Sequence, residues 1–265
     1  MNRGITTGFN KAFIINQNIK NNLISNNLNS KEIIKPLLRG KDISKYKIDF
    51  SNKYIIFSKQ GINIKKYSAV LDYLEEYKED LTPKNPGDSR DKRGRKQGNY
   101  KWYEIQDITN FYLSFEKKKI ISQRVCKHPN FALSLNNEYL LDSMVFMTLN
   151  NENRLLLEYI LMILNSNVIE WYLKRIGHKL GKNGFLLSNQ YMKQLPIPII
   201  PIEKQIEFKS MVLNLIELKK KVKSNDKLNN EINELEYSLN KITYTLFDLN
   251  KKEIELIEKD LFNPD

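Results

Sequence analysis

Apolar and polar positions change rhythm several times along the chain. Short apolar runs at 12–15 and 54–57 predict strands, and the stretch between them is polar and rich in Asn. Tyr67, Val70, Leu71, Leu74 and Leu81 recur at helical spacing and predict one amphipathic helix over about residues 66–81, ended by Pro83 and Pro86. Residues 84–99 hold no hydrophobic side chain, which predicts a mobile surface loop and excludes them from the core. Three further apolar runs, at 119–124, 130–135 and 144–149, are broken by Pro129 and Asn136-Asn137, as in antiparallel β-structure. From 155 to 176 apolar residues occur on every face, so two buried helices are predicted over the sheet, with the break at Asn165-Ser166-Asn167.

The proline-rich segment 195–201 suits neither a helix nor a central strand and reads as an extended connector. Beyond it, Phe208, Met211, Val212, Leu215, Ile216 and Val222 mark one amphipathic helix. Leu228, Ile232, Leu235, Leu239, Ile242 and Leu246 then alternate in steps of four and three, the seam spacing of a coiled coil. With 223–226 as the turn, the two form a helical hairpin, and Asn250 with Glu253 forms a capping box for a short terminal helix. The fold class predicted is α+β: a twisted, mainly antiparallel sheet with covering helices, then a C-terminal helical hairpin. The boundary divides the chain into 1–202 and 203–265.

Composition narrows the function classes. At 265 residues and 41% hydrophobic the chain is long and apolar enough to build a core, which excludes a disordered or collagen-like protein. The single Cys126 excludes a disulfide scaffold, and Cys126, His128 and His178 together fall short of the four ligands of a structural zinc. No apolar run approaches the roughly 20 residues that span a bilayer, and residues 1–10 lack the blocks of a signal peptide. A cytoplasmic protein with no membrane partner is expected. Net charge is +12, but 35 of the 43 cations are Lys, a bias that AT-rich coding also produces. Its placement says more, since 1–202 carries +14 and 203–265 carries −2. A field confined to one part of the chain suits a polyanion, nucleic acid foremost, and a solvated basic surface fits it equally.

The opening Gly4-Ile5-Thr6-Thr7-Gly8-Phe9-Asn10-Lys11-Ala12-Phe13 resembles the signature that begins the TaqI-like C-terminal specificity domain. The resemblance continues in order through Lys35-Pro-Leu-Leu-Arg-Gly-Lys-Asp-Ile43 with Tyr46, Lys101-Trp-Tyr-Glu104, Leu164-Asn-Ser166, and Asn189 ahead of Leu195-Pro-Ile-Pro198. It closes with Tyr237, Leu239, Tyr244, Leu246 and Leu249, then Lys252-Glu-Ile254. Each string alone is common; their ordered succession is specific. The resemblance implies a target recognition domain that gives sequence choice on double-stranded DNA to type IIG restriction-modification enzymes and adenine-specific methyltransferases.

Within that frame the residues suggest contacts. Thr6, Thr7 and Asn10 beside the Gly4-to-Gly8 turn offer short hydrogen-bonding groups to phosphate or base edges, while the glycines themselves read first as a tight structural turn. Arg39 and Lys41 flank Gly40, although Asp42 is placed to pair with Arg39 instead. In the loop 84–99, which holds three of the eight arginines, Arg90, Arg93 and Arg95 are the expected base readers. Lys92, Lys96 and Lys101 are expected on phosphates. Arg124, Lys127 and His128 leave a strand end, and Arg175, His178, Lys179 and Lys182 gather near a helix end, where cations also complement the helix dipole. Trp102 and Tyr103 are expected in the core rather than stacked on a base.

Catalysis is not expected of this chain. The Asn- or Asp-Pro-Pro-aromatic motif and the Gly-rich turn of adenine methylation are both missing, the nearest string being Asn85-Pro86-Gly87-Asp88. Spaced carboxylates for a metal-dependent nuclease are also missing; Glu75, Glu76 and Glu79 read as the solvated face of a helix. No cofactor is expected here, S-adenosylmethionine and magnesium being implied only for a full-length enzyme. Methyltransferase or nuclease domains would act in cis or in trans. A separate specificity subunit recruiting such chains through its helices, a self-sufficient nuclease and a protein-binding helical adaptor are the rival readings.

Overall fold

The computed structural model describes residues 1–89, 91–107, 111–149, 154–181, 184–222 and 226–262. The chain opens with β1 (Asn2–Arg3), the helical turn α1 (Asn10–Phe13), β2 (Ile14–Asn16), α2 (Gln17–Asn26) and β3 (Ile34–Leu38). A small hairpin of β4 (Ile43–Ser44) and β5 (Lys47–Ile48) leads to β6 (Lys53–Ile56), α3 (Ser68–Glu75) and α4 (Lys78–Leu81). Then come β7 (Lys119–Gln123), β8 (Val125–Cys126), β9 (Phe131–Ser134), β10 (Tyr139–Leu140) and β11 (Met144–Met147). Helices α5 (Leu157–Leu164) and α6 (Asn167–Ile176) precede the hairpin β12 (His178–Leu180) and β13 (Gly184–Leu186) and the short α7 (Asn189–Met192). Three helices end the chain: α8 (Ile202–Lys221), α9 (Asp226–Leu246) and α10 (Lys251–Phe262).

The fold is mixed α and β, with mainly antiparallel sheets and a helical C-terminal region. One four-stranded sheet has the order β1-β11-β7-β9 and is antiparallel throughout. A second has the order β10-β3-β6-β2, in which only β10 and β3 run parallel. A third joins β12-β13-β8.

The period-2 alternation of the 119–147 strands explains how the layers meet. Ile121, Ala132 and Phe146 face one core, with Phe13, Leu37, Ile55, Leu74 and Phe115. Ile120, Leu133, Phe131 and Val145 face the other, with α5 and α6. The first sheet is therefore a wall buried on both sides, and its strands read as continuous apolar runs for that reason. The second core continues into Val212, Leu215, Ile216, Ile232 and Leu239, so α8 and α9 pack on α5. Buried Gln205 clamps the start of α8, its amide donating to the Arg154 and Ile200 carbonyls and its oxygen accepting from Leu156 N–H. Asn250 and Glu253 form the reciprocal capping box of α10.

Three local expectations change. Residues 12–15 are not one strand: Thr7 Oγ1 accepts from Phe9 N–H and donates to Asn10 Oδ1, which starts the turn α1, and the strand begins only at Ile14. The helix expected over 66–81 is broken between α3 and α4, where Tyr77 turns aside to pack against Phe9 and Tyr73 while Leu81 stays fully buried. The polar stretch after residue 16 contains α2, capped by Asn16, and the central strand β3. Most of the expected turn at 223–226 lies outside the described residues.

Candidate nucleic-acid interface

Register fixes which residues share one end of the first sheet. Arg3 lies opposite Val145, Gln123 opposite Met144, and Phe131 opposite Ser122. Several loops leaving this end are tied to their neighbours by hydrogen bonds. Gly4 N–H donates to Met144 O at 3.0 Å, Ile5 N–H to Leu140 O at 2.7 Å, and Arg124 N–H to Ser143 O at 2.8 Å. Asp107 N–H donates to Thr6 O at 3.2 Å, which brings the segment that follows the basic loop to the same place. Gln123 Nε2 donates to Gly40 O at 2.7 Å and adds the Arg39–Asp42 turn. The β12–β13 hairpin joins through β8, with Leu186 opposite Val125. Lys41, Lys96, Lys101, Lys127, His128, His178 and Lys179 are exposed around this end, and Arg124 is half-buried. Among the described residues no carboxylate pairs with Lys41, Lys96, Arg124, Lys127 or Lys179.

The structure corrects two of the expected contacts. Arg95 is not a reader: it is 2% exposed, and its guanidinium donates only to main-chain oxygens. Nε reaches Leu81 O at 2.7 Å, Nη1 reaches Thr7 O at 2.9 Å and Glu104 O at 2.8 Å, and Nη2 reaches Trp102 O at 2.9 Å and Lys101 O at 3.3 Å. The Phe13 and Tyr100 rings lie over it, and burial pulls its pKa down to about 10. A residue in a run without apolar neighbours thus bolts the N-terminal turn to α4 and to the 101–104 segment. Thr7, 1% exposed, spends its hydroxyl on the α1 turn and is likewise removed from the surface.

Other arginines are held by carboxylates. Arg93 forks onto Asp80 at 2.9 and 2.8 Å and reaches Glu79 at 2.6 Å. Arg39 forks onto Asp42 at 3.1 and 3.2 Å and donates to Ser51. Burial pushes the Asp42 carboxyl upward, but the Arg39 side-chain and backbone bonds with that of Ser51 outweigh it and hold the pKa below the usual range. Arg175 stacks on Trp171 at 3.6 Å and pairs with Asp260 of α10. Lys92 binds Asp88 at 2.7 Å, and Thr6 binds Asp142 at 3.1 Å. His128 Nδ1 lies 2.7 Å from Glu170, which also holds Lys174. Asn10 is exposed beside Thr7, while Trp102 and Tyr103 are half-buried under Lys78 and Lys101. Arg90 and Lys182 lie outside the described residues.

The strings that carry the resemblance are clamps. Gly4 has no room for a Cβ, which would fall 2.1 Å from Leu141 O. Buried Glu104 accepts from Gly61 N–H and Lys101 N–H at 2.9 and 2.8 Å. Asn165 exchanges two hydrogen bonds with the Phe131 main chain, and Ser166 caps α6.

Residues 35–197 match the profile of the TaqI-like C-terminal specificity domain. The chain belongs to that family. Its fold matches a type IIL restriction-modification enzyme, MmeI, whose structure was solved in complex with DNA. The two share 12% identity at a TM-score of 0.63, over 97% of this chain and 35% of that one. The likeness thus extends past the family match to include α8, α9 and α10, and the chain spans about a third of that enzyme's length. No protein of curated function matches the sequence. As a TaqI-like specificity domain, the chain has a recognition surface to account for, and the converging sheet end is the candidate.

Sequence reasoning missed the side-chain amides there. Gln60, Gln97, Asn99 and Gln106 line an open cleft of about 450 Å³ beside Arg3 and Lys96. They come together only because the 58–61 and 95–107 segments are joined through the Ile105 N–H bond to Ser58 O and the Gly61 bond to Glu104, contacts that no local pattern reveals. Among the described residues no group of His, Cys, Asp and Glu is placed to hold a metal ion. Buried Cys126 has its thiol pushed up to about 12 by desolvation, with Glu170 adding to the shift.

Proposed function

We propose that the chain binds double-stranded DNA sequence-specifically as the target recognition domain of a type IIG restriction-modification enzyme or an adenine-specific methyltransferase. Residues 1–202 would carry recognition. Residues 203–265 would form a spacer or dock for methyltransferase and nuclease domains in cis or in trans, and the core shared by α5, α8 and α9 would make that spacer rigid. S-adenosylmethionine and magnesium would belong to those other domains, and the assembly would work in the cytoplasm. Among the described residues no helix is long and apolar enough to cross a membrane.

One observation carries the reading: loops distant in sequence meet at one sheet end and present unpaired cations around it. Such cations release counterions from phosphates, and a rigid platform holds side chains in register with base edges. Selection of bound duplexes from a random pool at low salt tests the reading. Enrichment of one short motif is expected. Retention of all duplexes alike, or of none, would refute it.

A further inference from the structure

The cleft at the sheet end has an unusual lining for a basic surface. Its cation Arg3 is neutralised by Asp107, leaving Lys96 as the unpaired charge. Among the described residues its other polar side chains are the amides and Tyr100, whose hydroxyl is spent on Lys96 O. Gln60 makes only a long 3.5 Å bond to the Gln106 carbonyl, and the side chains of Gln97, Asn99 and Gln106 bond to no described residue. A primary amide holds a donor and an acceptor side by side, the complement of adenine's N6 amino group and N7 in the major groove. Guanine is read best by a free arginine fork, and Arg3 is held by Asp107, while cytosine calls for a carboxylate acceptor, and Asp107 is engaged by Arg3.

Gln106 is the best held of these amides. Asp107 N–H is anchored to Thr6 O and Ile105 N–H to Ser58 O, so the backbone is fixed on both sides of it. Its side chain lies over Gly8, where φ is +79° and an added Cβ would fall 2.5 Å from Oε1. The second glycine of the opening signature therefore makes room for Gln106 and for Arg95, whose Cδ would lie 2.8 Å from that Cβ. Preorganisation of this kind is what a base-reading side chain requires.

We infer that this cleft reads an adenine of the recognition sequence through its side-chain amides, with Gln106 the main specificity-determining residue and Lys96 on a flanking phosphate. The inference rests on the DNA-recognition reading above and names the base that the site takes.

The test uses the full chain and the duplex motif obtained by selection, with each adenine replaced in turn by 7-deazaadenine, which lacks the N7 acceptor. Wild-type affinity is expected to fall roughly tenfold at one position. Gln106→Ala should lose that sensitivity, and Gln106→Glu, which preserves shape, should move the preference at that position toward cytosine. Far-UV circular dichroism and an unchanged salt slope would exclude misfolding as the cause. If the motif preference survives in Gln97→Ala, Asn99→Ala and Gln106→Ala alike, the cleft is not the reader although the domain still recognises DNA. If no duplex is retained by the wild type, the recognition reading falls and this inference with it.

Discussion

Arg95 and Lys96 are neighbours in sequence with opposite expected roles. Replacing Arg95 by Met keeps the bulk of the stem and removes five hydrogen bonds to main-chain oxygens from Thr7, Leu81, Lys101, Trp102 and Glu104. Charge-assisted bonds contribute about 1.5–3 kcal/mol each, but the desolvation of a buried guanidinium offsets several kcal/mol of their sum. The net loss expected on leaving these acceptors buried is about 3–5 kcal/mol, the range found when one side of a buried charged contact is deleted. With a urea slope of about 3 kcal/mol per molar for a chain of this size, the unfolding midpoint should fall by roughly 1–1.7 M. Lys96→Ala, on an exposed residue, should move stability by no more than about 0.5 kcal/mol and weaken DNA retention instead. Urea titration by circular dichroism and duplex binding by fluorescence anisotropy read the two effects separately. An Arg95→Met protein as stable as wild type but altered in sequence preference would return Arg95 to the surface and refute its role as a bolt.

Further outcomes follow from buried groups. Lys119 is fully buried, its ammonium donating to the Phe115 and Asn136 carbonyls at 2.7 and 2.9 Å, and burial lowers its pKa from 10.5 to about 8 despite Glu138. The folded state therefore releases this proton earlier than the unfolded one, so stability rises with pH between about 8 and 10.5. Wild type should gain about 3 kcal/mol on Lys119→Met across that window; parallel pH profiles for the two proteins would contradict this. Cys126 should resist thiol reagents at pH 8 until the chain unfolds, since both burial and its raised pKa suppress the thiolate; rapid native labelling would disprove it. Gly4→Ala should destabilise by several kcal/mol, because its Cβ would enter the Leu140 and Leu141 carbonyls, and an unchanged melting curve would refute that close approach.

Much of the scaffold was legible because its signals are local. The alternating runs became β7, β9 and β11, Ser166 capped α6 where the apolar pattern broke, and Asn250 with Glu253 closed the predicted box. The site was less legible because long-range contacts decide it. Arg95 lies in a segment that reads as solvated, and its burial is set by carbonyls from residues 7, 81 and 101–104. The apolar stripe of 67–81 did not reveal the break at Tyr77, which depends on Phe9. The glycines of the opening signature read first as a tight structural turn, and Gly4 and Gly8 do make room for backbone and for side chains of other segments. The strings that carry the family resemblance mark the platform, while the cleft amides follow no such string.

The sheet end is tested most directly by the salt dependence of duplex binding in three variants. Lys127 and Lys179 are exposed at that end, whereas Lys117 is exposed just before β7, at the other end of the same sheet. Neutralising each phosphate contact reduces the logarithmic salt slope by about 0.9. Lys127→Ala and Lys179→Ala should each lower the slope by about that amount, and Lys117→Ala should leave it unchanged. An equal or larger loss in Lys117→Ala, with the other two unaffected, would put the DNA on the wrong end of the molecule.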